Sequence, residues 1–208
     1  MKTKEDMLLD DIIEIQSLAQ AGLYYTKDVY DQERFERLRD ISAHLLSLYT
    51  DIPMVKLQNV FCHEVGYQTP KLDTRGVIFN ENGEILMVQE KNGLWSLPGG
   101  WVDINTSIKE NVEKEVYEEA GLKVHATQII AIMDRDKHNL PRYLYKIIKI
   151  FVMCEVDGGS FQKNIETTDS HYFSLDQLPK LSKDRNTFEQ IKMCFDAYHD
   201  QNWKTYFD

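Results

Sequence analysis

Residues 97–122 read LPGGWVDINTSIKENVEKEVYEEAGL, a Gly-Gly turn followed by a stretch that carries Glu115, Glu118 and Glu119 and stops at Gly121. Ser107 with Glu110 three residues later has the spacing of a helix-opening capping box, and Gly121 suits the left-handed position that closes a helix. The spacing predicts a helix over roughly 107–120. At about 100° per residue, Glu115 and Glu119 lie one turn apart on one face, with Glu118 about 60° to the side. Ile108, Val112, Val116 and Ala120 recur every fourth residue as the apolar stripe of that helix, and Glu115 and Glu119 fall beside or within it. Carboxylates crowded toward a buried face either take up protons or need a cation, and a hard divalent ion with oxygen ligands satisfies them. The plain alternative is a solvated acidic face with a Lys114 to Glu118 ion pair. Pro98, Gly99 and Gly100 just upstream make a tight turn whose backbone can approach an ion or a phosphate with no Cβ in the way.

At these residues the chain resembles the Nudix hydrolase family, whose motif is Gly-x5-Glu-x7-Arg-Glu-U-x-Glu-Glu-x-Gly-U, U being aliphatic. With Gly100 as its first glycine, Glu115, Val116, Glu118, Glu119, Gly121 and Leu122 fall in register. Thr106 stands where the motif has Glu, and Lys114 where it has Arg; Lys114 lacks the planar two-pronged geometry of Arg. The resemblance implies an α/β fold, a Nudix-type α/β/α sandwich with a mixed sheet. It implies magnesium or manganese held by Glu115, Glu118, Glu119 and the Gly99 carbonyl, the same three glutamates being catalytic. It leaves the general base open between a motif Glu and an acid from a distant loop, here Glu166 or Asp169 in NIETTD, whose other reading is an ordinary polar loop. AQAGLYYTKDVYDQERFERLRDI and LPKLSKDRNTFEQI are similar to a bacterial branch with a helical N-terminal extension that hydrolyses nucleoside diphosphates linked to another moiety. CDP-choline pyrophosphatase and ADP-ribose pyrophosphatase are the activities suggested. A non-catalytic nucleotide sensor and an RNA-end pyrophosphohydrolase are the alternatives.

The rest of the chain bounds these expectations. With 208 residues, 42% of them hydrophobic, it can bury a sizeable core. A net charge of −10 and no basic stripe argue against nucleic acid as an obligatory partner, though not against nucleotides. Cys62, Cys154 and Cys194 lie far apart without Cys-x-x-Cys spacing and read as reduced thiols of a cytoplasmic protein. MKTKEDMLLDD lacks the apolar core of a signal peptide, and no 18-residue apolar run suggests a membrane span.

Two domains are expected, a helical extension over 1–65 and a hydrolase domain over 66–208. In the first, Leu8, Leu9, Ile12, Ile15 and Leu18 mark one helix and Phe35, Leu38, Ile41, Leu45 and Leu48 a second, with a short third after Pro53. Apolar stripes of this extent point to dimerisation or to closure over a substrate. Residues 65–73 read as a linker, RGVIF and EILMV as a hairpin across NENG, and KVHATQIIAIMD and YLYKIIKIFVMCEV as two long strands. HYFSL reads as a shorter strand and 187–198 as a last helix. In the polar segment DRDKHNLPRYLY, Arg142 could engage phosphate and Tyr143 or Tyr145 could stack on a base, or the tyrosines could pack on the sheet.

Overall fold

The computed structural model describes residues 3–50, 62, 66–143 and 145–208. It divides the chain into two compact units, Met1–Pro70 and Lys71–Asp208. In the first, α1 (Lys4–Tyr25) opens on a Thr3 capping box, and α2 (Val29–Tyr49) on Asp28, whose carboxylate accepts from the N–H groups of Tyr30 and Asp31. The expected helix after Pro53 lies outside the described residues.

The seam between α1 and α2 takes in only part of the stripes that the spacing marks. Leu9, Ile12 and Ala19 meet Ala43 and Leu46 there, while Leu8, Leu18, Leu38, Ile41 and Leu48 stay exposed. Small residues set this arrangement. A Cβ on Gly22 would fall 2.4 Å from the Phe35 ring, and buried Ser42 donates to the carbonyl of Ile12 at 2.8 Å. The two helices therefore approach closely at Gly22 and Ser42.

The second unit begins at β1 (Lys71–Val77), so the expected linker ends three residues early and its last residues are strand. β2 (Ile85–Glu90) follows a turn in which Asn80 accepts from the N–H groups of Asn82 and Glu84. The turn forms as the NENG signal indicates, but its two strands part into different sheets. Next to the turn they meet through the Phe79–Ile85 bridge and the bonds from Leu86 N–H to the Ile78 carbonyl and from Asn80 N–H to the Glu84 carbonyl. Alternation reveals a strand, not its partner.

After β3 (Trp95–Ser96) come α3 (Ile108–Ala120), β4 (Leu122–Asp134), the one-turn α4 (Arg135–His138) and β5 (Ile147–Gly159). β6 (Thr167–Phe173), α5 (Phe188–His199) and β7 (Tyr206–Phe207) complete the unit. One sheet has the order β1-β5-β4-β7 and is mixed, with β1 parallel and β4 antiparallel to β5; the other has the order β3-β2-β6. YLYK, expected in the strand, precedes β5.

Alternate residues feed two cores on opposite faces, as a strand period of two requires. Ile85 and Met87 of β2 and Phe151 of β5 pack with Ile191, Cys194 and Phe195 of α5. Leu86, Val88, Ile150 and Val152 pack with Val112, Val116 and Ala120 of α3. The layers are helix, sheets and helix, an α/β/α sandwich. At Gly76 a Cβ would come within 2.5 Å of Val116, so this glycine lets α3 press directly onto β1. That depth positions the acidic residues.

Candidate active site

Helix α3 is bounded as its residues dictate. Ser107 and Glu110 form the reciprocal capping box, and Gly121, at φ +69°, donates its N–H to the carbonyl of Tyr117. The preceding loop is laid along β1. Gly76 N–H donates to the carbonyl of Pro98 at 2.8 Å, Thr74 N–H to that of Gly100 at 2.9 Å, and Val102 N–H to that of Leu72 at 3.0 Å. Gly99 is tightest, since a Cβ would meet the Thr74 carbonyl oxygen at 2.0 Å and its φ is +143°. From that position its N–H donates to Glu119 Oε2 at 2.8 Å. The Gly99 amide therefore orients the carboxylate.

Glu115, Glu118, Glu119, Gly99 and Glu166 all line one cleft of about 800 Å³, with Arg75, Glu90, Lys114 and Arg185 also on its walls. Burial pushes the Glu119 carboxyl up to about 7, against the opposing pull of Arg75 and the Gly99 N–H. Burial raises Glu115 as well, with Lys114, at 3.4 Å, acting in the other direction. Glu118 is exposed, 3.9 Å from Lys114, which makes its closest ion pair with Asp103 at 2.6 Å. The offset of Glu118 from its two neighbours follows from the helix period.

Two features test whether these residues fit a divalent cation. The donors are hard carboxylate oxygens, two of them held out of water at a cost that a cation would remove. A Cβ on Gly100 would sit 2.7 Å from Glu115 Oε2, so glycine keeps that oxygen clear. Among the described residues no three acidic, histidine or cysteine side chains converge as a ready metal cage. The donor set fits by chemistry, with Glu118 the exposed member of the three on the cleft wall.

Glu166 is exposed, on a loop tied to the end of α3. Asn164 Nδ2 donates to the carbonyl of Glu118 at 2.8 Å, and Thr167 Oγ1 donates to that of Glu119 at 2.7 Å. Asn164 Oδ1 in turn accepts from the Glu166 N–H at 2.8 Å. Asp169 lies within β6, and its carboxylate accepts from the N–H of Ser170. Thr106 does not line the cleft. Its hydroxyl donates within a turn to the carbonyl of Asp103 at 2.9 Å and to buried Asn111 at 3.3 Å. Asn111 Nδ2 donates to Thr74 Oγ1 at 2.9 Å. Thr106, one of the two departures from the motif, thus ties its turn to Asn111, and Asn111 ties α3 to β1.

Arg142 lies 3.7 Å from Asp136 and does not line the cleft. Tyr143 and Tyr145 line an adjoining cavity of about 210 Å³ that shares Arg75, Trp101 and Arg185 with the cleft. The guanidinium of Arg135 lies over the Tyr143 ring at 3.7 Å. Arg75, Lys149, Asn111 and Asn164 are residues that the sequence reading passed over. Lys149 had a visible signal, a lone charge inside the apolar run IIKIF; Asn111 and Asn164 had none, because their partners are remote in sequence.

Comparison with known proteins bears on this geometry. A family model for the NUDIX domain matches residues 69–193, and one described as a UDP-X-like, N-terminal oligomerisation domain matches residues 6–61. A Bacillus subtilis protein, provisionally named an ADP-ribose pyrophosphatase, is 43% identical over 195 residues, 93% of each chain. A crystal structure of an ADP-ribose pyrophosphatase from Streptococcus suis is 53% identical with a TM-score of 0.63, covering 67% of this chain and 100% of that one. A crystal structure of a UDP-X diphosphatase is 31% identical with a TM-score of 0.63, covering 99% of this chain and 100% of that one.

Proposed function

We propose, from the premise that this chain belongs to the Nudix family and is a pyrophosphohydrolase, that it cleaves a nucleoside diphosphate linked to a second moiety with the help of magnesium or manganese. The products are a nucleoside monophosphate and a phosphorylated partner. One observation carries the reading, the pair of partly buried carboxylates Glu115 and Glu119 on the wall of a large cleft, one oriented by a backbone N–H. Similarity over nearly the whole chain to proteins named for ADP-ribose and UDP-X supports the substrate class.

Glu115 and Glu119, joined by Glu118 and the Gly99 carbonyl, would hold the cation. When bound, it supplies positive charge to the anhydride oxygens and lowers the cost of bringing water to phosphorus. The chain's own residues do the rest. Arg75 and Arg185 attract the substrate phosphates, and the Gly99 N–H keeps Glu119 in one orientation. Glu166, at the cleft rim, takes the proton of the attacking water.

The N-terminal unit we read as the means of homodimerisation, supported by its outward apolar side chains and by the oligomerisation-domain match. Among the described residues no helix is long and apolar enough to cross a membrane, and Cys62, Cys154 and Cys194 are free, which supports a reducing, cytoplasmic setting.

The test is to incubate the purified protein with ADP-ribose, CDP-choline, UDP-glucose and capped RNA, with and without magnesium, and to identify the products by phosphorus NMR. Metal-dependent formation of a nucleoside monophosphate from at least one of the small substrates is expected. Binding without cleavage would make the protein a sensor, and cleavage of capped RNA alone would make it an RNA-end hydrolase; either result rejects the proposal.

A further inference from the structure

The cavity beside the acidic cleft has the opposite electrical character. Its walls carry four cations, Arg75, Arg135, Lys149 and Arg185, against two carboxylates, Asp73 and Asp184. Three of those cations are almost fully buried, Arg75 at 2%, Arg135 at 1% and Lys149 at 1% exposure. Their charges are poorly matched. Asp73 is gripped by Arg75 through two hydrogen bonds, of 3.1 and 2.6 Å, and the same carboxylate is the ion-pair partner of Lys149 at 3.6 Å.

Arg135 donates to the neutral carbonyls of Pro141 and Asp184. Its ion-pair carboxylate, Asp136, is 3.8 Å away and is shared with Arg142 and Lys146. Lys149 donates to the carbonyl of Arg185. Arg185 pairs with Glu90 at 3.3 Å, but Arg75 and Lys149 share the one carboxylate of Asp73 and Asp136 serves three cations, so the buried cations are only partly compensated, and under-compensated buried charge is costly.

We propose that this cavity receives an anionic group, a carboxylate or phosphate carried by the moiety linked to the nucleoside diphosphate. This rests on the substrate class proposed above. Arg75 and Arg185 line both spaces, so a substrate whose anhydride lies in the cleft has a cationic path into the cavity. Tyr143 and Tyr145, with ring centroids 6.0 Å apart, would flank the linked group. Burial, and then Arg75, bring the Lys149 ammonium down to about 7, a direction that an anion placed beside it would oppose.

UDP-glucuronate and UDP-glucose share nucleoside and anhydride and differ in one carboxylate, so they isolate the cavity. The intact protein with magnesium should show a KM for UDP-glucuronate on the order of tenfold below that for UDP-glucose, and Lys149→Gln should bring the ratio toward one. Equal KM values, or a ratio unchanged in Lys149→Gln, would overturn the proposal. A second measurement is independent of turnover and of the variant's folding: calorimetric titration of the metal-free wild-type protein with inorganic phosphate. Saturable binding is expected, with competition against UDP-glucuronate; no binding overturns the anion site. Phosphate binding with no preference between the two sugars overturns its assignment to the linked group and makes it a site for free phosphate. If neither sugar nucleotide is cleaved, ADP-ribose and CDP-choline decide the substrate class, while the phosphate titration still decides the cavity.

Discussion

The two units handle apolar surface in opposite ways. In Lys71–Asp208, side chains alternating along β2 and β5 fill one core beneath α3 and another beneath α5, and Val112, Val116, Phe151 and Ile191 are wholly buried. In the hairpin of α1 and α2 a few residues, Leu9, Ile12, Ala19, Ala43 and Leu46 among them, form a thin buried seam, while Leu8, Leu18, Tyr25, Tyr30 and Leu48 are exposed. The first pattern belongs to a unit that closes its own core. The second leaves apolar side chains uncovered within the chain, and the difference supports the division proposed above, chemistry in one unit and association in the other.

The sharpest way to break that division is Glu119→Gln, which keeps the shape of the side chain and removes its charge. Turnover should fall on the order of 10²-fold or more while the oligomeric state by light scattering stays the same. Glu115→Gln should behave alike, and exposed Glu118 should tolerate the change better. Full activity in Glu119→Gln at saturating magnesium would remove the metal from α3.

Next in size is the pH dependence of the metal-free protein. Glu119 rises from 4.5 to about 7 on folding, so between those values the folded state holds a proton that the unfolded state has released. Stability from this group is therefore full below pH 4.5 and is lost as pH rises through about 7, a change of up to about 3 kcal/mol. Lys149, lowered from 10.5 to about 7, has the opposite sign and makes the folded state relatively stronger above neutrality. Denaturant unfolding without metal should show a shallow minimum near neutral pH, and Glu119→Gln should flatten its acid side. Saturating magnesium should do the same to the wild type. A profile insensitive to both would show that burial of Glu119 has no energetic consequence.

Association comes third. The intact protein should scatter light as a dimer at micromolar concentration, and Leu18→Asp or Leu48→Asp should raise its dissociation constant on the order of tenfold or more. Both side chains are exposed within the chain, so a monomeric variant that unfolds at the wild-type denaturant midpoint would confirm that only the interface was lost. A wild-type monomer would make the hairpin something other than an interface between copies. The smallest effect is expected at Thr106. Since its hydroxyl serves a turn and lies outside the cleft, Thr106→Glu should shift the magnesium needed for half-maximal rate by less than about threefold, whereas Thr106→Val should cost about 1 kcal/mol in stability. A large drop in magnesium requirement for Thr106→Glu would show that the turn opens and the site lacks a ligand.

How far the sequence could be read follows from the range of the interactions. Helix α3 was legible to within a residue because Ser107, Glu110 and Gly121 act on their neighbours. The acids on it were legible for the same reason. The parting of β1 and β2 was not, since pairing with β5 and β6 joins residues some eighty positions apart in the register, such as Asp73 with Lys149. The stripes on α1 and α2 were visible, but not that Ala19, Ser42 and Ala43 join Leu9, Ile12 and Leu46 in the seam, because small residues carry little apolar weight in such a pattern. The basic cavity stayed hidden because its cations come from β1, α4, β5 and the loop before α5, and only folding gathers them.

The tie made by Asn164 and Thr167 has an electrical side. Peptide dipoles leave the carbonyl end of a helix partly negative, which is the unfavourable end for Glu118 and Glu119. Each donor that Asn164 and Thr167 present to the carbonyls of those two residues offsets some of that negative potential without touching either carboxylate. What remains still favours positive charge, so the helix end would act as a weak electrode for the cation proposed at the acids, while Asn164, by accepting from the Glu166 N–H, keeps that residue's backbone on the same clamp.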